Sequence, residues 1–275
     1  MPARPVLVTG VPRSGTTWLA RQLAASPAAA LPGREPMNPR PGQFGLGGTL
    51  TGWVRLEDPT PRQVRLLRRC YAGREPRTYS RYGSRHWAAL LPGTRVVVKD
   101  PFALLSVPTL ARVTGALPVV VYRHPGAVLS SYRRMGWRAD TDEVRALRGR
   151  SAAAPPADDV HAMLEFWTFL HEQVLAWLPE VPDALLVSHA ELAAAGPRGV
   201  AALLSRCGLP APGRAPAAPG RQGRSRPGRL HRFDRLPGDV AEGWRDRVTP
   251  QEARVLDEGA ASTWQALERC RAGLP

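Results

Sequence analysis

Lysine is almost missing from this chain. Of its 38 basic side chains Lys99 is the only lysine, and all the others are arginine. Cysteine is scarce as well. Cys70, Cys207 and Cys270 are odd in number and widely spaced, which excludes a disulfide framework and a cysteine metal site and suits a reducing compartment. No apolar run approaches the roughly 18–20 residues of a membrane-spanning helix, so a membrane is excluded as a partner. The N-terminus runs straight into an apolar strand, which leaves no room for a signal peptide, and a cytoplasmic location is the expectation. Acids are outnumbered too: 23 against 38 basic residues gives a formal charge of +15. Alanine, glycine and proline accompany the arginine, the composition of a GC-rich coding sequence, and much of the charge is read as solvated surface. The remainder favours anionic ligands: nucleotide, sulfated glycan or nucleic acid. The 275 residues suffice for one large α/β domain with a substantial core, taken here as residues 1–275.

What is present is concentrated first in residues 5–18, Pro-Val-Leu-Val-Thr-Gly-Val-Pro-Arg-Ser-Gly-Thr-Thr-Trp. Val6, Leu7 and Val8 read as a buried strand. A glycine turn follows from Gly10 to Thr17, and Trp18, Leu19 and Leu23 continue with helical spacing. Strand, turn and helix start form an anion cradle, because the turn aims N–H groups inward and the first N–H groups of a helix have no partner within it. Thr16 and Thr17 add hydroxyls and Arg13 a fixed charge. A standard NTPase loop would place lysine at position 16; this chain has threonine there.

Pro12-Arg13-Ser14-Gly15-Thr16-Thr17-Trp18 resembles the 5′-phosphosulfate-binding loop of the sulfotransferases that use 3′-phosphoadenosine 5′-phosphosulfate (PAPS). A second stretch supports the resemblance. Leu117 to Tyr122 is an apolar strand ending at Arg123, and His124-Pro-Gly-Ala-Val-Leu-Ser-Ser131 opens a helix. The eight-residue step from Arg123 to Ser131 lets a strand-end arginine and a helical serine converge on one phosphate, and it is similar to the family's 3′-phosphate pair. Ser130 is the neighbouring alternative. The resemblance runs in order over roughly residues 5–250 and implies a metal-independent transfer of a sulfonyl group from PAPS to a hydroxyl or amine. Trp18 is then placed to stack on adenine.

The same resemblance points to the chemistry. Arg95 to Lys99 reads as a strand running into Asp100-Pro101. Cytosolic sulfotransferases have a lysine and then a histidine base at a similar place; Lys99 matches the lysine, and Pro101 excludes the histidine. Glu35, in Gly33-Arg-Glu-Pro36 after a candidate strand at 28–31, is similar to the Glu-Pro base of bacterial and carbohydrate sulfotransferases. Glu35 is the first choice of base and Asp100 the reserve. Lys99, Arg13 and the loop N–H groups would neutralise charge on the leaving oxygen.

Elsewhere the reading is coarser. Residues 40–60, 138–158 and 210–235 read as flexible segments, the first as a mobile acceptor-side lid and the last as a basic, arginine-rich loop. Tyr79, Tyr82, His86 and Trp87 are core residues or the lining of an acceptor pocket. Residues 60–70, 159–178 and 197–207 read as helices, 184–187 as a strand, and Thr249-Pro250 as the cap of a C-terminal helix. His189 stands where the family has a tyrosine, with nucleotide contact and packing both open. Gly243-Trp244 resembles the family's late Gly-x-Trp motif. Strands separated by helices predict a P-loop-like, three-layer α/β fold with a central parallel sheet flanked by helices. The expected partner is a small-molecule or glycan acceptor, with no specific nucleic acid. The other readings are a P-loop ATP-dependent small-molecule kinase, a non-catalytic basic nucleic-acid-binding protein, and a relative that has lost activity.

Overall fold

Short β-branched runs without a polar face are satisfied only in a sheet covered on both sides. In the computed structural model, which describes residues 3–149, 154–212 and 243–273, they are placed in such a sheet. In chain order the strands are β1 (Val6–Thr9), β2 (Ala29–Gly33), β3 (Tyr79–Ser84), β4 (Arg95–Lys99), β5 (Leu117–Tyr122) and β6 (Leu185–Ser188). Their spatial order is β3-β2-β4-β1-β5-β6. Every pairing is parallel except β2 with β3, which is antiparallel. The sheet is thus the expected central parallel one, with an antiparallel edge added. Nothing in Tyr-Ser-Arg-Tyr-Gly-Ser alternates apolar with polar, so the edge strand has no periodic signal; an edge tolerates polar residues because one side meets water.

Period-2 alternation divides the core. Val6, Val8, Val97, Val119, Val121 and Val187 face α1 (Thr16–Ala24) and α8 (His189–Arg206). Leu7, Val96, Val98, Val120 and Tyr122 face the opposite layer. That layer holds α3 (Pro61–Tyr71), α4 (Val107–Thr114), α5 (Pro125–Met135), α7 (Asp159–Trp177) and a C-terminal helix, α9 (Pro250–Cys270). One face of α7, with Met163, Phe166, Trp167, Leu170 and Val174, is buried. Thr249 caps α9 with Pro250 in its first turn and Glu252 completing the capping box. Among the described residues no helix is long and apolar enough to cross a membrane.

Two segments read as flexible from composition carry structure that holds them together. Residues 40–57 contain a short helical turn, α2 (Gly45–Gly48), and bury Phe44, Leu46, Leu50, Trp53 and Leu56. Residues 141–147 form α6 (Thr141–Leu147). The backbone and indole N–H groups of Trp53 donate to Glu143 (2.7 Å) and Asp140 (2.9 Å), and Arg40 pairs with both carboxylates at 2.8 Å. Arg145, 7 % exposed, pairs with Glu165 of α7 at 2.9 Å. Composition missed this because the charges are satisfied by partners distant in sequence, 87–103 residues for the contacts of Arg40 and Trp53 and 20 for Arg145 with Glu165. The arginine-rich segment expected at 210–235 lies, from residue 213 on, outside the described residues.

Candidate active site

Parallel strands end at one edge of a sheet, and loops there collect ligands where the strand order reverses. Here β1 lies between β4 and β5, so three loops meet. The turn after β1 is possible only with glycine at two points. Gly10 has φ +148°, and a Cβ on it would collide with the Val121 carbonyl. Gly15 has φ +107°, and a Cβ there would collide with the ring of His189. Arg13 between them holds φ +74°, a left-handed conformation that is unusual for a long side chain. Ser14 and Thr16 are buried and Pro12, Arg13, Thr17 and Trp18 half-buried. Helix α1 starts at Thr16 with no side-chain cap and no acid in its first turn, so its first N–H groups remain available to an anion. Among the described residues the buried hydroxyls of Ser14 and Thr9 find no hydrogen-bond partner. A cradle with an uncapped helix start, an orphaned hydroxyl and a nearby guanidinium fits a phosphosulfate.

The second predicted pair meets the first. Arg13 Nε donates to Ser131 Oγ at 2.9 Å, and Arg123 Nη1 donates to the carbonyl of Arg13 at 3.4 Å. Ser131, 4 % exposed, lies on α5 below the end of β5; Ser130 is also buried. The Arg123 carbonyl accepts the indole N–H of the fully buried Trp167 at 2.8 Å. Trp244 stacks on His124 at 4.6 Å and closes over Gly126, which brings the late Gly-Trp motif to the Arg123 loop. A cleft of about 370 Å³ opens beside Arg123, lined by His124, His189, Trp244, Asp257 and Trp264 among others. His189 meets Trp18 edge to face at 6.2 Å. Burial, and then Arg123, depress its imidazole to about 3, so it is neutral at physiological pH.

Lys99 and Glu35 form an ion pair across the ends of β4 and β2, with side chains 15 % and 8 % exposed. The second Glu35 oxygen accepts from Asn38 Nδ2. Burial lowers the Lys99 ammonium to about 8; Arg13 and Arg21 add to the effect and Asp100 opposes it. The direct Glu35 contact works in the same sense as Asp100. Asp100 is fully buried and both its oxygens accept backbone N–H groups, from Met37 at 2.5 Å and from Phe102 at 3.1 Å. Burial pushes its carboxyl up to about 7, against those N–H groups and the Lys99 charge. Asp100 thus ties the Glu35 loop to β4.

Residues 5–213 match the profile of the sulfotransferase family. The chain belongs to the sulfotransferase family. Its likeness to the crystal structure of sulfotransferase STF1 from Mycobacterium tuberculosis H37Rv is slight. Identity is 22 % over 76 % of this chain and 68 % of that one, with a TM-score of 0.41. No curated protein matches the chain. Set in this family, the predicted residues fall into two groups. Residues 12–18 meet Ser131 and Arg123 through Arg13, and Glu35, Lys99 and Asp100 lie at the neighbouring strand ends. The aromatics at 79–87 do not join them: Tyr79 stacks on His86, and Tyr82 and Trp87 point outward, 44 % and 68 % exposed. Asn38 went unseen in the sequence, since a lone loop asparagine carries no motif, and Trp167 reads there only as core, with nothing to tie it to Arg123.

Proposed function

We propose that this sulfotransferase-family chain moves a sulfonyl group from PAPS to a hydroxyl or amine acceptor. The observation that carries the reading is the meeting of an uncapped glycine turn, the Arg123–Ser131 pair and the Lys99–Glu35 pair at one sheet edge. Residues 12–17 would hold the 5′-phosphosulfate, Arg123 and Ser131 the 3′-phosphate, and Trp18 the adenine. Bound there, PAPS supplies a sulfonyl group on a phosphate leaving group. Arg13, Lys99 and the N–H groups of the turn stand ready for the negative charge that gathers on the leaving oxygen. Glu35 accepts the proton of the acceptor. It suits that task better than Asp100, whose two oxygens are already bound to backbone. Low exposure around Lys99 and Glu35 keeps water from weakening these charges.

The test is thermal unfolding of the purified protein with 3′-phosphoadenosine 5′-phosphate, adenosine 5′-monophosphate or ATP, with and without magnesium. Stabilisation by the 3′-phosphorylated nucleotide without magnesium is expected, followed by its release from PAPS when hydroxyl and amine compounds are screened as acceptors. Stabilisation only by ATP with magnesium would replace this reading with a kinase.

A further inference from the structure

Ser131 is nearly inaccessible, yet two guanidinium groups reach its hydroxyl oxygen. Arg13 Nε donates from the glycine turn at 2.9 Å, and Arg134 Nη2 donates from α5 at 3.4 Å. Residues three apart share a helix face, so the face that turns Ser131 toward the end of β5 carries Arg134 with it. Arg123, the residue after β5, donates to the backbone carbonyl of Arg13 at 3.4 Å. Two guanidinium groups, one from the glycine turn and one from α5, thus meet on one hydroxyl, and Arg123 is bonded to the backbone of the turn that supplies the first. A serine whose oxygen accepts from guanidinium groups still has its own O–H to donate. A phosphate monoester carries several acceptor oxygens and close to two charges, enough to engage that hydroxyl and more than one guanidinium.

We propose that Arg134 is a further nucleotide-binding residue, one that strengthens the preference for a 3′-phosphate over a 3′-hydroxyl. The inference rests on the donor reading given above. The spacing that marks Arg123 and Ser131 does not include Arg134. Its part follows from the convergence on Ser131 Oγ. Because Arg134 is exposed, its contribution is screened by salt more strongly than that of the half-buried Arg123.

Calorimetric titration of the wild type, Arg134→Gln and Arg134→Lys decides the matter, with 3′-phosphoadenosine 5′-phosphate and adenosine 5′-monophosphate each at low and high salt. The wild type is expected to prefer the 3′-phosphorylated nucleotide. Arg134→Gln should weaken that nucleotide about tenfold at low salt and the monophosphate less than about twofold. Arg134→Lys, which keeps the charge and loses the fork, should fall between. Unchanged binding of the 3′-phosphorylated nucleotide in Arg134→Gln, or equal losses for both nucleotides, overturns the inference and leaves the donor reading standing. A wild type without the preference overturns the donor reading, and this inference with it. Arg134 lies at the surface, so matching unfolding temperatures will confirm that the variants are folded.

Discussion

The cradle proposed for the donor and the loop that carries Glu35 share one sheet edge but are built by different means. In the cradle, each recognition element follows directly on an apolar strand: β1 runs into Gly10–Thr17, and β5 into Arg123 and the start of α5. Its shape is set by backbone, through positive φ at Gly10, Arg13 and Gly15. The Glu35 loop is fixed by side chains, two of them from within the loop and two from the end of β4. Gln43 accepts the Glu35 N–H at 2.8 Å and Asp100 accepts the Met37 N–H at 2.5 Å. Lys99 and Asn38 hold the Glu35 carboxylate itself. The pieces proposed to hold the nucleotide are thus each built locally, while the carboxylate proposed to take the proton is held partly by Lys99, a contact that exists only after folding.

The sharpest way to separate the two is Glu35→Gln. Conversion of PAPS in the presence of an acceptor should drop by about 10²–10⁴-fold, the usual worth of a general base, while affinity for 3′-phosphoadenosine 5′-phosphate stays within about twofold. Loss of nucleotide binding in this variant would merge the two regions into one. A second effect concerns pH. Lys99 is depressed to about 8, so it is charged below that pH and neutral above it. Turnover is expected to fall as pH rises through about 8, close to tenfold per unit where the ammonium is required. In Lys99→Arg that alkaline limb should vanish from a lower plateau; a limb that persists assigns it to another group.

Arg123→Ala addresses the other side. It should weaken 3′-phosphoadenosine 5′-phosphate by about 10–100-fold, the range of a hydrogen bond to a charged group, and adenosine 5′-phosphosulfate far less. Equal losses would remove the 3′-phosphate from this arginine. The smallest effect is that of Asp100→Asn. An amide cannot accept both backbone N–H groups at once, so denaturant unfolding should show a loss of about 1–3 kcal/mol, with nucleotide affinity retained. If turnover vanishes and stability does not change, Asp100 and not Glu35 handles the proton.

Legibility in the sequence follows the same division. Five strands could be read because buried parallel strands are continuous apolar runs, and the Thr249 cap could be read because its chemistry spans only three or four residues. The edge strand β3 could not, since its Tyr, Ser, Arg and Gly show no alternation. Helix α6 is charged on most faces, and only pairing to Arg40, Trp53 and α7 reveals why its acids and Arg145 are tolerated. Tyr82 and Trp87 form a sequence cluster that the antiparallel edge then turns outward. The sole lysine was conspicuous in the sequence, but its partner Glu35 lies 64 residues away.

The sequence by itself determined the glycine turn, the strand-end arginine with its helical serine, and the alternation of strands and helices. Each is a short-range pattern whose physics is complete within about ten residues. The tertiary structure alone decided that Arg134 joins Ser131, that Trp167 holds the Arg123 carbonyl, and that Asp100 is bound to backbone while Glu35 meets Lys99. Such choices depend on which buried polar groups find partners, and partners are assigned when β2, β4, β1 and β5 come together in one sheet.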